Sequence, residues 1–233
     1  MNFRFSLLTG WLALRGLTFA GSIDWGTAVN DSLYGAEGAA LSVSYHFELG
    51  TFRDGFVPDS TNTSQWDSKW NLIEEAGFNA PMQYVAENSI LTSSGPDLIW
   101  ERDATGGETA PLTNPNIFAP GEAVYFWAFS GKTITGTTQW GLASGRGLTT
   151  DTDWELSAAL GDPMAQTRQW RLSNADAAVF GGLNGTRGGG TFNALPCSFT
   201  LQTSFVSPVP EPDISVLLAA VTILNLRRRR PVA

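Results

Sequence analysis

The residues that could do chemistry in this 233-residue chain are few, and their scarcity decides a great deal. His46 is the only histidine and Cys197 the only cysteine. A Ser-His-Asp or Cys-His mechanism would therefore rest entirely on His46. No G-x-S-x-G nucleophile elbow accompanies it, since "GLASG" at 141–145 places its serine one position late. One imidazole and one thiol cannot supply the three or four nitrogen and sulfur ligands of a zinc site. No metal or cofactor is expected.

The acidic residues are plentiful instead. Glu48, Glu75, Glu101, Glu122 and Glu155 are all available as a glycosidase pair, but in a chain with 22 acids availability is no evidence, and only the fold decides which of them meet. Asp151 and Asp153 in "TTDTDW" offer two oxygen ligands to calcium without the other ligands of an EF-hand, so a solvated turn is the simpler reading. "GLNGTRGGG" lacks the G-x-x-x-x-G-K-[ST] phosphate cradle and reads as a flexible turn. Of the nine tryptophans, Trp11 lies near the N-terminus and most others sit in strand or helix patterns. Core packing is expected for these, with an exposed sugar-stacking platform as the alternative. No catalytic residue is assigned.

The elements that would position these groups are mainly strands. "LSVSYHFEL" alternates, placing Leu41, Val43, Tyr45, Phe47 and Leu49 on one face and Ser42, Ser44, His46 and Glu48 on the other, a half-buried strand. "EAVYFWAFS" is apolar on both faces and is expected to be central and covered on both sides. Further strands are expected in "MQYVAE", "DLIWER", "TTQWGLAS", "DWELSA", "RQWRLS" and from Phe199 to Phe205, where Cys197 would share a buried face with Phe199, Leu201 and Phe205. One helix is expected in "TNTSQWDSKWNLIEEAG", capped by Asn62 or Thr63, striped by Trp66, Trp70 and Ile73, and stopped at Gly77. Many short strands and one short helix point to an antiparallel β-sandwich, jelly-roll-like, spanning residues 21–207 as one domain.

Both ends of the chain differ from this body. Residues 1–20 carry Arg4, an apolar stretch from Phe5 to Leu14, and Thr18 and Ala20 as small residues ahead of Gly21, the layout of a secretory signal helix, although Arg15 stands close to the cut. Residues 208–233 contain Pro210-Glu211-Pro212, an uncharged apolar run from Ile214 to Leu226, and Arg227, Arg228, Arg229 and Arg230. That run is apolar almost all round and has no solvent face, so it is expected as a C-terminal membrane helix, 214–226. At thirteen residues it is short of the roughly 20 that a stable span needs. The arginines mark its cytoplasmic side and put the body outside.

A signal peptide, Val209-Pro210-Glu211-Pro212, an apolar helix and a terminal arginine cluster together resemble the PEP-CTERM sorting signal of Gram-negative bacteria. The resemblance covers the last 25 or so residues, with Asp213 and the trailing Pro231-Val232-Ala233 as departures. It implies recognition of Pro210, Glu211 and Pro212 by an exosortase, a membrane-embedded cysteine transpeptidase, with Arg227 to Arg230 as the cytoplasmic stop. It further implies transient anchoring, then release to the cell surface or the exopolysaccharide matrix. "IDWGTAVNDSLYG", "FELGTFRDGFVPDSTNTSQWDSKW" and "AVYFWAFSG" with "QWGLAS" also resemble the bodies of a group of secreted PEP-CTERM proteins of Verrucomicrobia-like bacteria, a similarity that carries no activity.

The expectation is thus a noncatalytic exported protein, with a displayed carbohydrate-binding module or a polysaccharide hydrolase as alternatives. Its partners would be the exosortase and, as an alternative ligand, exopolysaccharide. The net charge of −8 grows more negative once Arg4, Arg15 and the arginine tail are removed, which argues against nucleic acid and anionic membrane surfaces.

Overall fold

The computed structural model describes residues 18–94, 100–102, 117–119, 121–145, 154–156 and 168–207. Most of the signal segment, Asp151 and Asp153, the sorting motif Pro210 to Pro212, the helix 214–226 and Arg227 to Arg230 lie outside them. No described helix is long and apolar enough to cross a membrane.

The chain is mainly β. Its strands are β1 (Thr18–Gly26), β2 (Leu33–Tyr34), β3 (His46–Phe52), β4 (Trp70–Ala76), β5 (Phe78–Asn79), β6 (Tyr84–Ser94), β7 (Trp100–Arg102) and β8 (Ile117–Phe118). They continue as β9 (Tyr125–Phe129), β10 (Gln139–Ser144), β11 (Arg168–Arg171), β12 (Ala177–Phe180), β13 (Gly182–Leu183), β14 (Thr186–Arg187), β15 (Leu201–Gln202) and β16 (Ser204–Phe205). One sheet runs β11-β1-β6-β7-β8 with β5 beside β6. A second runs β12-β10-β9-β3-β4 with β16 beside β10, and a small third runs β14-β13-β15-β2. Pairing is antiparallel except for β1 with β11 and β15 with β2. Because β1 starts at Thr18, a cut before Gly21 would remove its first three residues.

The second sheet organises the molecule because both of its faces are buried. On one face Phe47, Leu49, Ile73, Phe126 and Ala128 join Ile23, Trp25, Leu91 and Trp170 of the first sheet in one apolar cluster. On the other, Phe52, Trp70, Tyr125, Trp127, Phe129, Trp140 and Leu142 form an aromatic cluster with Trp66 and Phe180. Alternation along β9 sends Phe126 and Ala128 one way and Tyr125, Trp127 and Phe129 the other, which is why "YFWAF" must be apolar throughout. This strand lies at the centre of its sheet, as its composition predicts. Gly50 lets the Trp70 ring lie across β3, since a Cβ there would come within 2.6 Å of the indole.

The helix is much shorter than its sequence suggests. A 3₁₀ turn at Thr63–Gln65 leads into a single α turn, α1 (Trp66–Lys69), and the chain then extends into β4. One turn gains little from its own hydrogen bonds, whereas Trp70 to Ala76 gain a full ladder against β3. Asn62 does not cap the helix; its Oδ1 accepts from Trp66 Nε1 at 2.7 Å and from the Asp59 amide at 3.0 Å. Trp66, Trp70 and Ile73 are all buried, but the first two enter the aromatic cluster and Ile73 enters the other, so they form no single stripe. Gly77 follows a strand.

The alternating segment is also corrected. Residues 41–45 turn, with the Tyr45 amide donating to Ser42 O at 3.2 Å, and the strand begins only at His46. Val43, expected inside, is 79% exposed, and Glu48, expected on the polar face, is buried. Tyr45 is held instead by a polar hub: Gln139 Oε1 accepts from its hydroxyl at 2.8 Å, from the Ala36 amide at 2.7 Å and from Thr203 Oγ1 at 3.0 Å.

Candidate functional site

Among the described residues, one cluster of three ionisable groups lies over the aromatic face of the second sheet. Glu48 projects from β3 into the aromatic cluster with its side chain 7% exposed. The nine-residue connection 130–138 between β9 and β10 folds back over it, pinned by Trp140 Nε1 donating to Gly131 O at 2.7 Å and by Thr138 Oγ1 donating to Thr133 O at 2.7 Å. From this loop Lys132 Nζ reaches Glu48 Oε2 at 2.9 Å and stands 3.9 Å from Asp67 Oδ1, which α1 supplies. The same ammonium lies 5.2 Å from the ring centres of both Trp127 and Phe129, a cation–π setting that partly replaces its lost water.

Burial pushes the Glu48 carboxyl above the usual carboxylate range, because the charged form is the one that loses solvation. Hydrogen bonding and charge from Lys132 and the Trp70 indole oppose that shift, while the charge of Glu75 adds to it. Glu75 sits opposite Glu48 in the β3–β4 ladder, so two of the five sequence-named glutamates do become neighbours. Glu75, however, is half exposed and faces His46, whose Nδ1 lies 3.0 Å from its Oε1. His46 is exposed, as expected, and stacks on Phe129 at 5.4 Å.

The remaining candidates do not converge on this point. Ser144 of "GLASG" is buried and donates to Val124 O at 2.7 Å, which is a structural bond. Glu122 and Glu155 meet through their backbones, where Ala123 bridges Glu155 and the Leu156 amide donates to Glu122 O. Cys197 is exposed in a bend, not buried on a strand face: the ladder starts only at Leu201, so the alternation projected back from Phe205 does not reach it. "GLNGTRGGG" is a hairpin. Asn184 and Gly185 take φ of 46° and 81° between β13 and β14, and Asn184 Nδ2 is held 2.7 Å from Ala175 O and 3.0 Å from Leu172 O.

Seven of the nine tryptophans, Trp25, Trp66, Trp70, Trp127, Trp140, Trp154 and Trp170, are buried. None of the described indole side chains is left as a sugar-stacking platform. A separate cleft of about 210 Å³ is lined by the hydroxyls of Ser60, Thr63, Thr191 and Ser207 around Phe180 and Phe205, with no ionisable group.

Sequence reasoning named Glu48 only as one acid among five and did not single out Lys132 or Asp67 at all. Their separation along the chain hides the cluster, and the one available signal is a glutamate within a strand flanked by Phe47 and Leu49. The chain matches no protein-family model, no curated protein and no solved structure.

Proposed function

We propose that the chain is a noncatalytic exported protein, held briefly at the membrane, processed by an exosortase-like transpeptidase and incorporated into the cell surface or exopolysaccharide matrix. One observation carries this reading: Pro210-Glu211-Pro212, an uncharged apolar run and Arg227 to Arg230 occur in that order at one end of a chain whose other end has signal-peptide layout. The short run suits an anchor that is cut soon after export, and the prolines keep the cleavage segment extended. The body between the signals, mainly β with two large sheets, is read as a jelly-roll-like sandwich. The burial of seven indoles speaks against a tryptophan platform, so polysaccharide is placed second to the sorting machinery as a partner.

Glu211→Ala tests the reading. The variant is expected to be exported normally and to accumulate unprocessed in the membrane fraction, several-fold over wild type. Wild-type processing of that variant would remove the assignment.

A further inference from the structure

The Glu48, Lys132 and Asp67 cluster has the composition of a self-crosslinking site, and we propose that Lys132 Nζ and the Asp67 side chain join as an intramolecular amide, with Glu48 as the proton carrier. Two geometric facts support it. Lys132 Nζ stands 3.9 Å from Asp67 Oδ1, so the attack needs the Asp67 carboxyl to turn toward the nitrogen. Glu48 Oε2 is 2.9 Å from the same nitrogen, so the group that must remove and return protons touches the nucleophile.

The balance closes without any further reactant. Lys132 passes one ammonium proton to the Glu48 carboxylate, and the neutral amine forms an N–C bond to Asp67 Cγ. Glu48 protonates the departing Asp67 oxygen, and a second proton from the nitrogen follows by the same route. One C–O bond breaks, one water leaves, and Glu48 ends as it began. Burial, which raises the Glu48 pKa, favours the proton-loaded form that this cycle needs. Asp67 reaches in from the solvent side, its side chain 63% exposed, which gives the water an open way out. Holding both partners on fixed elements supplies the effective concentration that the uncatalysed reaction lacks. A chain with one cysteine cannot form an internal disulfide, and this bond would tie α1 to the β9–β10 loop instead.

The test is a tryptic map, with intact mass, of the denatured full-length protein. The expected result is a branched peptide joining the segment with Asp67 to the segment with Lys132, lighter than its parts by one water, and no cleavage after Lys132. Glu48→Gln should slow formation by about 100-fold or more. Asp67→Ala, a change at an exposed position that leaves the core intact, should abolish the branch and restore cleavage after Lys132. Unbranched peptides with full cleavage after Lys132 in the folded wild type would overturn the proposal, as would a branch from Lys132 to Glu48.

Discussion

Replacing Trp66 by alanine should remove a large part of the protein's stability. Its side chain is fully buried at the meeting point of the aromatic cluster: it stacks on Trp140 at 5.4 Å and meets Phe180 at 5.7 Å, Phe52 at 6.0 Å and Trp127 at 6.1 Å edge to face. Truncating a buried tryptophan costs about 3–5 kcal/mol, and lost ring pairs here place it at the upper end. The lost Nε1 bond to Asn62 adds little, because Asn62 Oδ1 keeps the Asp59 amide. Against a usual stability of about 5–15 kcal/mol, the change should lower Tm by roughly 10–15 °C for a domain of this size. Trp66→Phe, which keeps a ring and loses volume, should cost about 1–2 kcal/mol. Urea titration followed by far-UV circular dichroism measures both. A Trp66→Ala variant within about 0.5 kcal/mol of wild type, the range of an ordinary surface change, would refute the reasoning that α1 seals this cluster.

Gln139→Leu should destabilise by about 2–4 kcal/mol in the same titration, since it strands the Ala36 amide and leaves the Tyr45 and Thr203 hydroxyls with only long contacts of 3.5 Å; an unchanged midpoint would contradict that. Glu48, with a folded pKa above its ordinary 4.5, costs stability at neutral pH, and the cost is relieved as pH falls through the raised pKa toward 4.5. Asp54 and Asp59, held below their ordinary 3.8 by Lys69 and Thr61, act oppositely and lose their small contribution only in stronger acid. The difference in urea midpoint between wild type and Glu48→Gln should therefore change between pH 7 and 4.5, and a constant difference would exclude the Glu48 effect. Cys197 should react with a thiol reagent in the native protein as fast as in the unfolded one, whereas strong protection would restore the buried-strand reading.

The sequence legibly signals the strand character and the centre of the second sheet, because a segment apolar on both faces has few other uses. It misleads where local pattern and tertiary pairing disagree. From Trp70 to Ala76 the helical spacing of Trp66, Trp70 and Ile73 is real, but the ladder with β3 outweighs one or two further helical turns. From Leu41 to Tyr45 the alternation is equally real, yet the chain turns there to bring Tyr45 to Gln139, a contact between residues far apart in sequence. Glu48 shows the same limit: alternation puts it opposite Phe47 and Leu49, as found, but nothing local reveals that α1 and the 130–138 loop cover that face and turn a surface acid into a buried one.

The measurement closest to the central claim is the intact mass of the protein recovered from the surface or matrix of its native host. The expected mass lacks the N-terminal segment up to about Ala20 and everything beyond the Pro210-Glu211-Pro212 motif. A surface-located protein that still carries Arg227 to Arg230 would make the C-terminal run a lasting anchor and contradict sorting by an exosortase.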